Sequence, residues 1–472
     1  MKQTIISIIL GATALSLTSC DNYIDLLPKG TQIPETVEDF EPLLYNESSC
    51  CMLPSTQALY LLNDLFVSRS NLSNPDLRRA NYMWDESADR VDLNNNTELT
   101  FDKGYQGISV YNVIINNVPA ATGDEQRKKT LVGYARVLRA FNYLSLVNFY
   151  ADQYEESTAA TKLGVPVIFD DNIEGAHTQK TVGEIYDFII SEINEVLADG
   201  VLPEVGESVL HPGIATSNAI LARTYLSMGK YAEAKACAEK ALAVNSDLYD
   251  WNEIYELNKE KVDDPKDMAV TIPSPIDRSY CENFLFRHGE RITRVVSNQN
   301  EFNISLDRYA RFEVDDVMAK VRWKQYTSGG DLYMRGQLNG FYNDAGLTVT
   351  EMVLIKAECM AREGKTAEAM AQVNEVRKHH ILASSYQPIG ASDLADAIDK
   401  IYTVKANALI GSIVPFMDAR RLNAEGKYPR MLTKTVSGES YTLSPTSHLW
   451  TMVFPSAAIN NPGNGSFVQN SK

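Results

Sequence analysis

Read for apolar and polar positions alone, the chain divides into one short greasy run, several helical stretches and long polar connections. The run spans residues 4–18, is uncharged, and holds Ile5, Ile6, Ile8, Ile9, Leu10, Leu15 and Leu17. It is about fifteen residues long, short of the roughly twenty that a bilayer-spanning helix needs. Further on, residues 131–154 carry Leu138, Phe141, Leu144 and Phe149 at helical spacing. After a long loop, Ile185, Phe188, Ile189, Ile193, Val196 and Leu197 mark one helix face, and Thr181 with Glu184 gives the capping-box signature S/T-x-x-E/Q. Two more segments, 218–244 and 351–378, align with each other without gaps. In each, an alanine (Ala222, Ala357) stands seven residues before a glycine (Gly229, Gly364), and another (Ala234, Ala369) five after it. Small residues let two helices approach closely, and the glycine accepts the left-handed conformation that ends the first helix. The pattern also predicts helices over 56–68, 391–409 and 415–425. Between these lie polar stretches without a clear period, at 70–104, 258–291 and 298–347. Long loops in a compact domain are usually functional or disordered, so a site is sought there.

The paired segments resemble the tetratricopeptide (TPR) helix-turn-helix, with a third unit split across 131–199. The predicted fold is therefore all-α: a scaffold of TPR-like hairpins, near 131–199, 218–244 and 351–378, with long irregular inserted loops. The greasy run is preceded by a single positive charge, Lys2, and reads as a secretory signal to be set aside from fold reasoning. It closes on Leu17, Thr18, Ser19 and Cys20, which resembles the lipobox of bacterial lipoproteins. That resemblance makes residues 1–19 a cleaved leader, Cys20 the lipid anchor, 20–36 a tether and 37–472 one helical domain. A single acyl chain holds a protein only marginally, whereas the several chains of a lipoprotein cysteine anchor it stably.

Removing the leader leaves 453 of the 472 residues, enough for a large core. The net charge is −17, and so acidic a balance argues against nucleic acid and anionic headgroups as partners, since both need basic patches. Apart from Cys20 there are five cysteines, Cys50, Cys51, Cys237, Cys281 and Cys359, whose odd number and irregular spacing form no disulfide framework. Cys237 and Cys359 sit among alanines and read as small core residues.

Catalytic signatures are missing. The six histidines make no H-E-x-x-H and no zinc-like pairing with cysteine, and there is no G-x-S-x-G, Walker loop or G-x-G-x-x-G. Paired acids occur at Asp170-Asp171, Asp263-Asp264 and Asp315-Asp316, but adjacent acids are usually solvated turns rather than a glycosidase pair. No enzyme, metal or cofactor is expected.

Taken together, the motifs resemble the RagB/SusD family of outer-membrane nutrient-binding lipoproteins. The resemblance rests on the lipobox, on "YIDLLPKG", on "ARVLRAFNYLSLVNFYADQY" followed by "LGVPVI", and on "AILARTYLSMGKYAEAKACAEKAL". It continues through "VLIKAECMAREGKTAEAMAQVNEVR", "FMDARRLNAEGKYPR" and "LWTMVFPSAAINNPG". Departures are Met452 and Phe454 where Pro-Ile-Pro is usual, and Ala458 where Glu is common. The resemblance implies a SusD-like fold and an outer-membrane, surface-exposed lipoprotein. Such a protein sits on a SusC-like TonB-dependent transporter, captures a glycan or in some cases a peptide, and delivers it for import without catalysis. A membrane-anchored TPR scaffold for protein partners is the alternative.

Sugars present a weakly polar C–H face and a rim of hydroxyls, which aromatic platforms and amide, carboxylate or Arg groups read together. Of the four tryptophans, Trp450 and Trp251 are expected to be structural. In the family an aromatic from each of the regions around Trp84 and Trp323 often lines the glycan site. The candidate ligand site is therefore a platform of Tyr82, Trp84, Trp323 and Tyr326, with Asp85, Asn94 and Arg322 reading hydroxyls. Arg420 and Arg421, helix-borne beside Asp418, are expected to be structural.

Overall fold

The computed structural model describes residues 34–94, 98–170, 177–264, 281–290, 301–338, 343–436, 438–460 and 467–470. Cys20, the leader and most of the tether lie outside them, as does Asp171. The principal helices are α1 (Thr56–Leu62), α2 (Leu77–Met83), α3 (Leu99–Asn117), α4 (Glu125–Tyr150), α5 (Val182–Asp199) and α6 (Ile214–Ser227). They continue with α7 (Tyr231–Val244), α8 (Trp251–Asp263), α9 (Val349–Arg362), α10 (Thr366–His380), α11 (Leu394–Ala408) and α12 (Val414–Glu425). Short strands β1 (Leu163–Pro166), β2 (Gln179–Thr181), β3 (Asn283–Leu285), β4 (Trp323–Ser328), β5 (Asp331–Gly336), β6 (Leu347–Thr348), β7 (Leu432–Val436) and β8 (Glu439–Leu443) pair antiparallel as β1–β2, β3–β6, β4–β5 and β7–β8. The predicted helical scaffold is borne out, and the strands only decorate it.

The repeat explains the scaffold. Helices α6 and α7 turn at Gly229 (φ +73°), α9 and α10 at Gly364 (φ +83°), as the left-handed helix ending requires. Ala222, Ala234, Ala357 and Ala369 are fully buried where the paired helices meet. Helix α7 packs on α9, α9 also on α11, and α3, α4 and α5 pack in sequence order before them. Arg223 on α6 clamps the layers together, donating to both oxygens of Glu351 (2.7 and 2.6 Å) and to the carbonyl of Gly346 (2.7 Å). The capping box at α5 forms as predicted, Thr181 N–H donating to Glu184 at 2.8 Å and Glu184 N–H to the Thr181 hydroxyl at 3.2 Å.

Some boundaries differ from the sequence reading. Helix α4 begins before its apolar spacing does, because Asp124 caps it by accepting from Arg127 N–H at 2.8 Å and its first turns are solvated. Helix α1 stops at Leu62, short of the predicted residue 68, because Asn63 adopts a left-handed φ of +57°.

Several buried charges are paired within the scaffold. Arg421 donates to both oxygens of Glu358 at 2.8 Å and to Asp418 at 3.1 Å, and Lys405 meets Asp418 at 2.8 Å. Burial works to raise Glu358, but Arg421 and Arg362 outweigh it and hold the carboxyl down at about 2. Arg420 donates to the carbonyls of Asn148 and Ala151 at the end of α4. Both arginines are structural, as expected, and so are the buried Trp251 and Trp450.

The C-terminal segment closes the molecule onto its beginning. Arg90 is fully buried and donates to the carbonyls of His448 (3.2 Å), Leu449 (3.3 Å) and Thr451 (2.9 Å). Met452 N–H donates to Phe149 at 3.0 Å, and Asn470 donates to the carbonyls of Tyr150 (2.6 Å) and Met452 (2.7 Å). Two apolar clusters result. A large one fills the helical scaffold and includes Trp84; a smaller one gathers Tyr82, Trp251, Phe302, Phe312 and Trp323.

Candidate functional site

Helices α1 and α2 both end in left-handed residues, Asn63 and Trp84, each with φ +57°, and these are the two non-glycine residues of positive φ among the described ones. A bulky residue there is strained by roughly 1–2 kcal/mol, so the surroundings must hold it. They do so reciprocally: the Trp84 indole N–H donates to the carbonyl of Leu61 at 2.7 Å, and the Asn63 amide donates to the carbonyls of Tyr60 (3.0 Å) and Tyr82 (3.3 Å). The crossing fixes the rings of Tyr82 and Trp84 side by side.

Opposite them stands the β7–β8 hairpin. Lys434 of β7, paired in register with Tyr441 of β8, reaches across so that its Nζ lies 4.1 Å from the Tyr82 ring centroid and 4.3 Å from that of Trp84. The second hairpin, β4–β5, turns through Gly329 and Gly330, whose φ values of +60° and +83° suit the two-residue turn that matches strand twist. On it Tyr333 stacks on Phe66 with ring centroids 4.5 Å apart and planes 13° from parallel.

Between these walls lies a cleft of about 770 Å³. Phe66, Tyr82 and Tyr441 supply rings, and Ser305, Thr433, Thr435, Ser440 and Thr442 supply hydroxyls. Its charged groups are Lys434, Arg311, Asp307 and the pair formed by Arg69 and Asp331 at 3.2 Å. Burial, reinforced by Arg311, pushes the Lys434 ammonium down to about 7, and burial pushes the Tyr82 hydroxyl up to about 12.

The seven residues singled out from the sequence fall in different places. Tyr82 lines the cleft and Trp84 lies beside it under Lys434. Trp323 does not join them: it is 1 % exposed, donates its indole N–H to the carbonyl of Phe302 at 2.9 Å, and has no face open to a ligand. Arg322, fully buried, holds both oxygens of Glu301 at 3.0 and 3.1 Å. The stretch "VRW" is buried because there a short helix, Val317–Arg322, runs straight into β4 over the smaller core. Asn94 is buried and donates to the carbonyl of Val453 at 3.1 Å, so it ties down the C-terminal segment. Asp85 accepts from the Ser87 hydroxyl at 2.6 Å, outside the cleft lining. Tyr326 is half-buried on β4 against Tyr333 and also stands outside the lining.

Phe66, Arg311, Lys434 and Tyr441 were missed. The β7–β8 hairpin did carry a signal, the alternation "LTKTV" and "ESYTL" about a Ser-Gly dipeptide. Elsewhere, Glu41, Glu207 and His211 cluster closely enough to hold a cation. Glu41 is already engaged by Arg127, and the two His211 nitrogens by the hydroxyls of Tyr45 and, at 2.9 Å, Ser208.

These features define a class: a TPR-like helical scaffold that carries a ring-and-hydroxyl cleft walled by two hairpins. The chain's fold is shared with solved proteins of the SusD superfamily. Residues 22–226 match a SusD-like family described as "Starch-binding associating with outer membrane". A SusD superfamily protein from Bacteroides thetaiotaomicron is 16% identical with a TM-score of 0.68, over 93% of this chain and 100% of that one. A SusD-like carbohydrate binding protein from Bacteroides vulgatus is 17% identical with a TM-score of 0.65, over 91% of this chain and 97% of that one. Surface glycan-binding protein A from Bacteroides uniformis is 16% identical with a TM-score of 0.64, over 92% of this chain and 98% of that one. No curated protein matches. Among the described residues, no helix is long and apolar enough to cross a membrane.

Proposed function

We propose that this protein is a non-catalytic outer-membrane lipoprotein, anchored through Cys20, that binds a glycan and hands it to a TonB-dependent transporter. The observation carrying this reading is the cleft itself. Fixed aromatic faces beside five hydroxyl side chains suit a ligand that is apolar on its C–H face and hydroxylated at its edge. The outer-membrane family that matches residues 22–226, and the fold shared with proteins named for carbohydrate and surface-glycan binding, support it. Within the site, Tyr82 and Tyr441 are the proposed stacking faces.

The reading is tested on the full mature chain by calorimetric titration with a panel of polysaccharides, their oligosaccharides and peptides. One glycan should bind saturably, and Tyr82→Ala with Tyr441→Ala should weaken it by about tenfold or more, on the order of 1.4 kcal/mol. Saturable binding of peptides alone would sink the reading, and glycan binding indifferent to both substitutions would keep it while removing Tyr82 and Tyr441 from the site.

A further inference from the structure

One group in the cleft is not explained by a neutral sugar. Among the described residues, Lys434 Nζ is buried, donates no hydrogen bond and forms no ion pair. What it faces are two rings, Tyr82 at 4.1 Å and Trp84 at 4.3 Å. Rings attract a cation, but less than it costs to strip an ammonium of water without an anion or acceptors in exchange. A slot meant only to be filled would be better served by an apolar side chain of the same length. Arg311, exposed on the same cleft, likewise pairs with no carboxylate among the described residues. Three cations, Lys434, Arg311 and Arg69, thus face two carboxylates, Asp307 and Asp331, in a chain whose overall charge is −17. The local balance is opposite to that of the whole molecule.

We propose that the cleft takes an acidic glycan, one bearing carboxylate or sulfate groups, and that Lys434 is the specificity-determining residue that reads the anion. The inference rests on the glycan-binding reading above and names the class of glycan. Rotation about the side-chain bonds of Lys434 carries its amine from the rings toward the cleft with no change of backbone. The anion supplies the acceptor that the resting state lacks. The vacated faces of Tyr82 and Trp84 are then free to stack on the sugar to which the anion belongs.

The test compares wild type, Lys434→Met, Lys434→Arg and Tyr82→Ala by titration calorimetry, using polygalacturonate oligomers for carboxylate, chondroitin sulfate for sulfate, and amylose and dextran as neutral probes. An acidic glycan should bind wild type at least about tenfold tighter than the neutral ones, Lys434→Met should lose about that factor, and Lys434→Arg should keep most of it. The preference between the first two probes identifies the anion. The binding-competent ammonium is depleted as pH rises past about 7, so wild-type affinity should fall by about tenfold per pH unit above that point. The other charged and titratable groups around the amine, Arg311, Asp307, Arg69, Asp331, Tyr82 and Tyr441, remain in Lys434→Met. A flat profile in that variant therefore assigns the slope to Lys434. Tight binding of amylose or dextran that Tyr82→Ala abolishes and Lys434→Met leaves intact would overturn this proposal while keeping the glycan reading. Absence of binding to every glycan would overturn both.

Discussion

Lys405 and Lys434 are both lysines with a buried amine, and they are treated in opposite ways. In the helical scaffold Lys405 meets Asp418 at 2.8 Å, inside a network in which Arg421 also holds Glu358 and Asp418. In the cleft Lys434 meets, among the described residues, two aromatic faces and no counter-charge. A paired buried charge resists removal, because the partner left behind has neither water nor counter-charge. An unpaired one has little to lose and much to gain from a ligand. Each charge of that scaffold network meets an opposite charge, whereas among the described residues Lys434 meets none.

The sharpest test of the scaffold half is Glu358→Ala, which takes from Arg421 its two-oxygen partner, leaving it Asp418 alone, and leaves Arg362 with Glu425; it should lower unfolding free energy by about 3 kcal/mol in urea titrations. The pH dependence follows in sign. With its folded carboxyl held at about 2 against an ordinary 4.5, Glu358 contributes stability above pH 4.5 that is lost as pH falls toward 2. The alanine variant should lack that slope. Lys405→Met comes next, at about 2 kcal/mol, because Asp418 keeps Arg421 when Lys405 is gone.

Lys434→Met should have the smallest effect, within about 1 kcal/mol and toward greater stability, since it replaces a desolvated amine with a side chain suited to the slot. Its pH signature is also the reverse of Glu358. A folded amine at about 7 against an ordinary 10.5 means the unfolded chain binds more protons between those values. Wild-type stability should therefore rise with pH across that window, and the methionine variant should show no such rise. A loss on Lys434→Met as large as that on Lys405→Met would erase the contrast between the two regions.

Much of the scaffold was legible in the sequence because period, glycine and capping residue all act locally. The Ala–Gly–Ala spacing of 218–244 and 351–378 placed two helical pairs, and Thr181 with Glu184 placed the start of a third element. The cleft was only partly legible. Tyr82 was reached by looking for aromatics in polar stretches, but the same rule chose Trp323, which a short helix feeding a strand turns inward. Composition tells how polar a stretch is and not which of its side chains the pleat points to the core. Lys434 was passed over because a single lysine in a polar hairpin looks like a solvated one. Its meaning comes from Tyr82 and Trp84, some 350 positions away in the chain.

The grip of Arg90 on the carbonyls of His448, Leu449 and Thr451 also bears on the order in which the protein is made. A chain synthesised from its first residue onward holds Arg90 long before those carbonyls exist, so these bonds are among the last that the fold can make. Contacts this distant in sequence are slow to form, because a long loop must close before any of them is made. Residues 448–451 thus act as a latch, bringing from far along the chain the carbonyls that Arg90 holds.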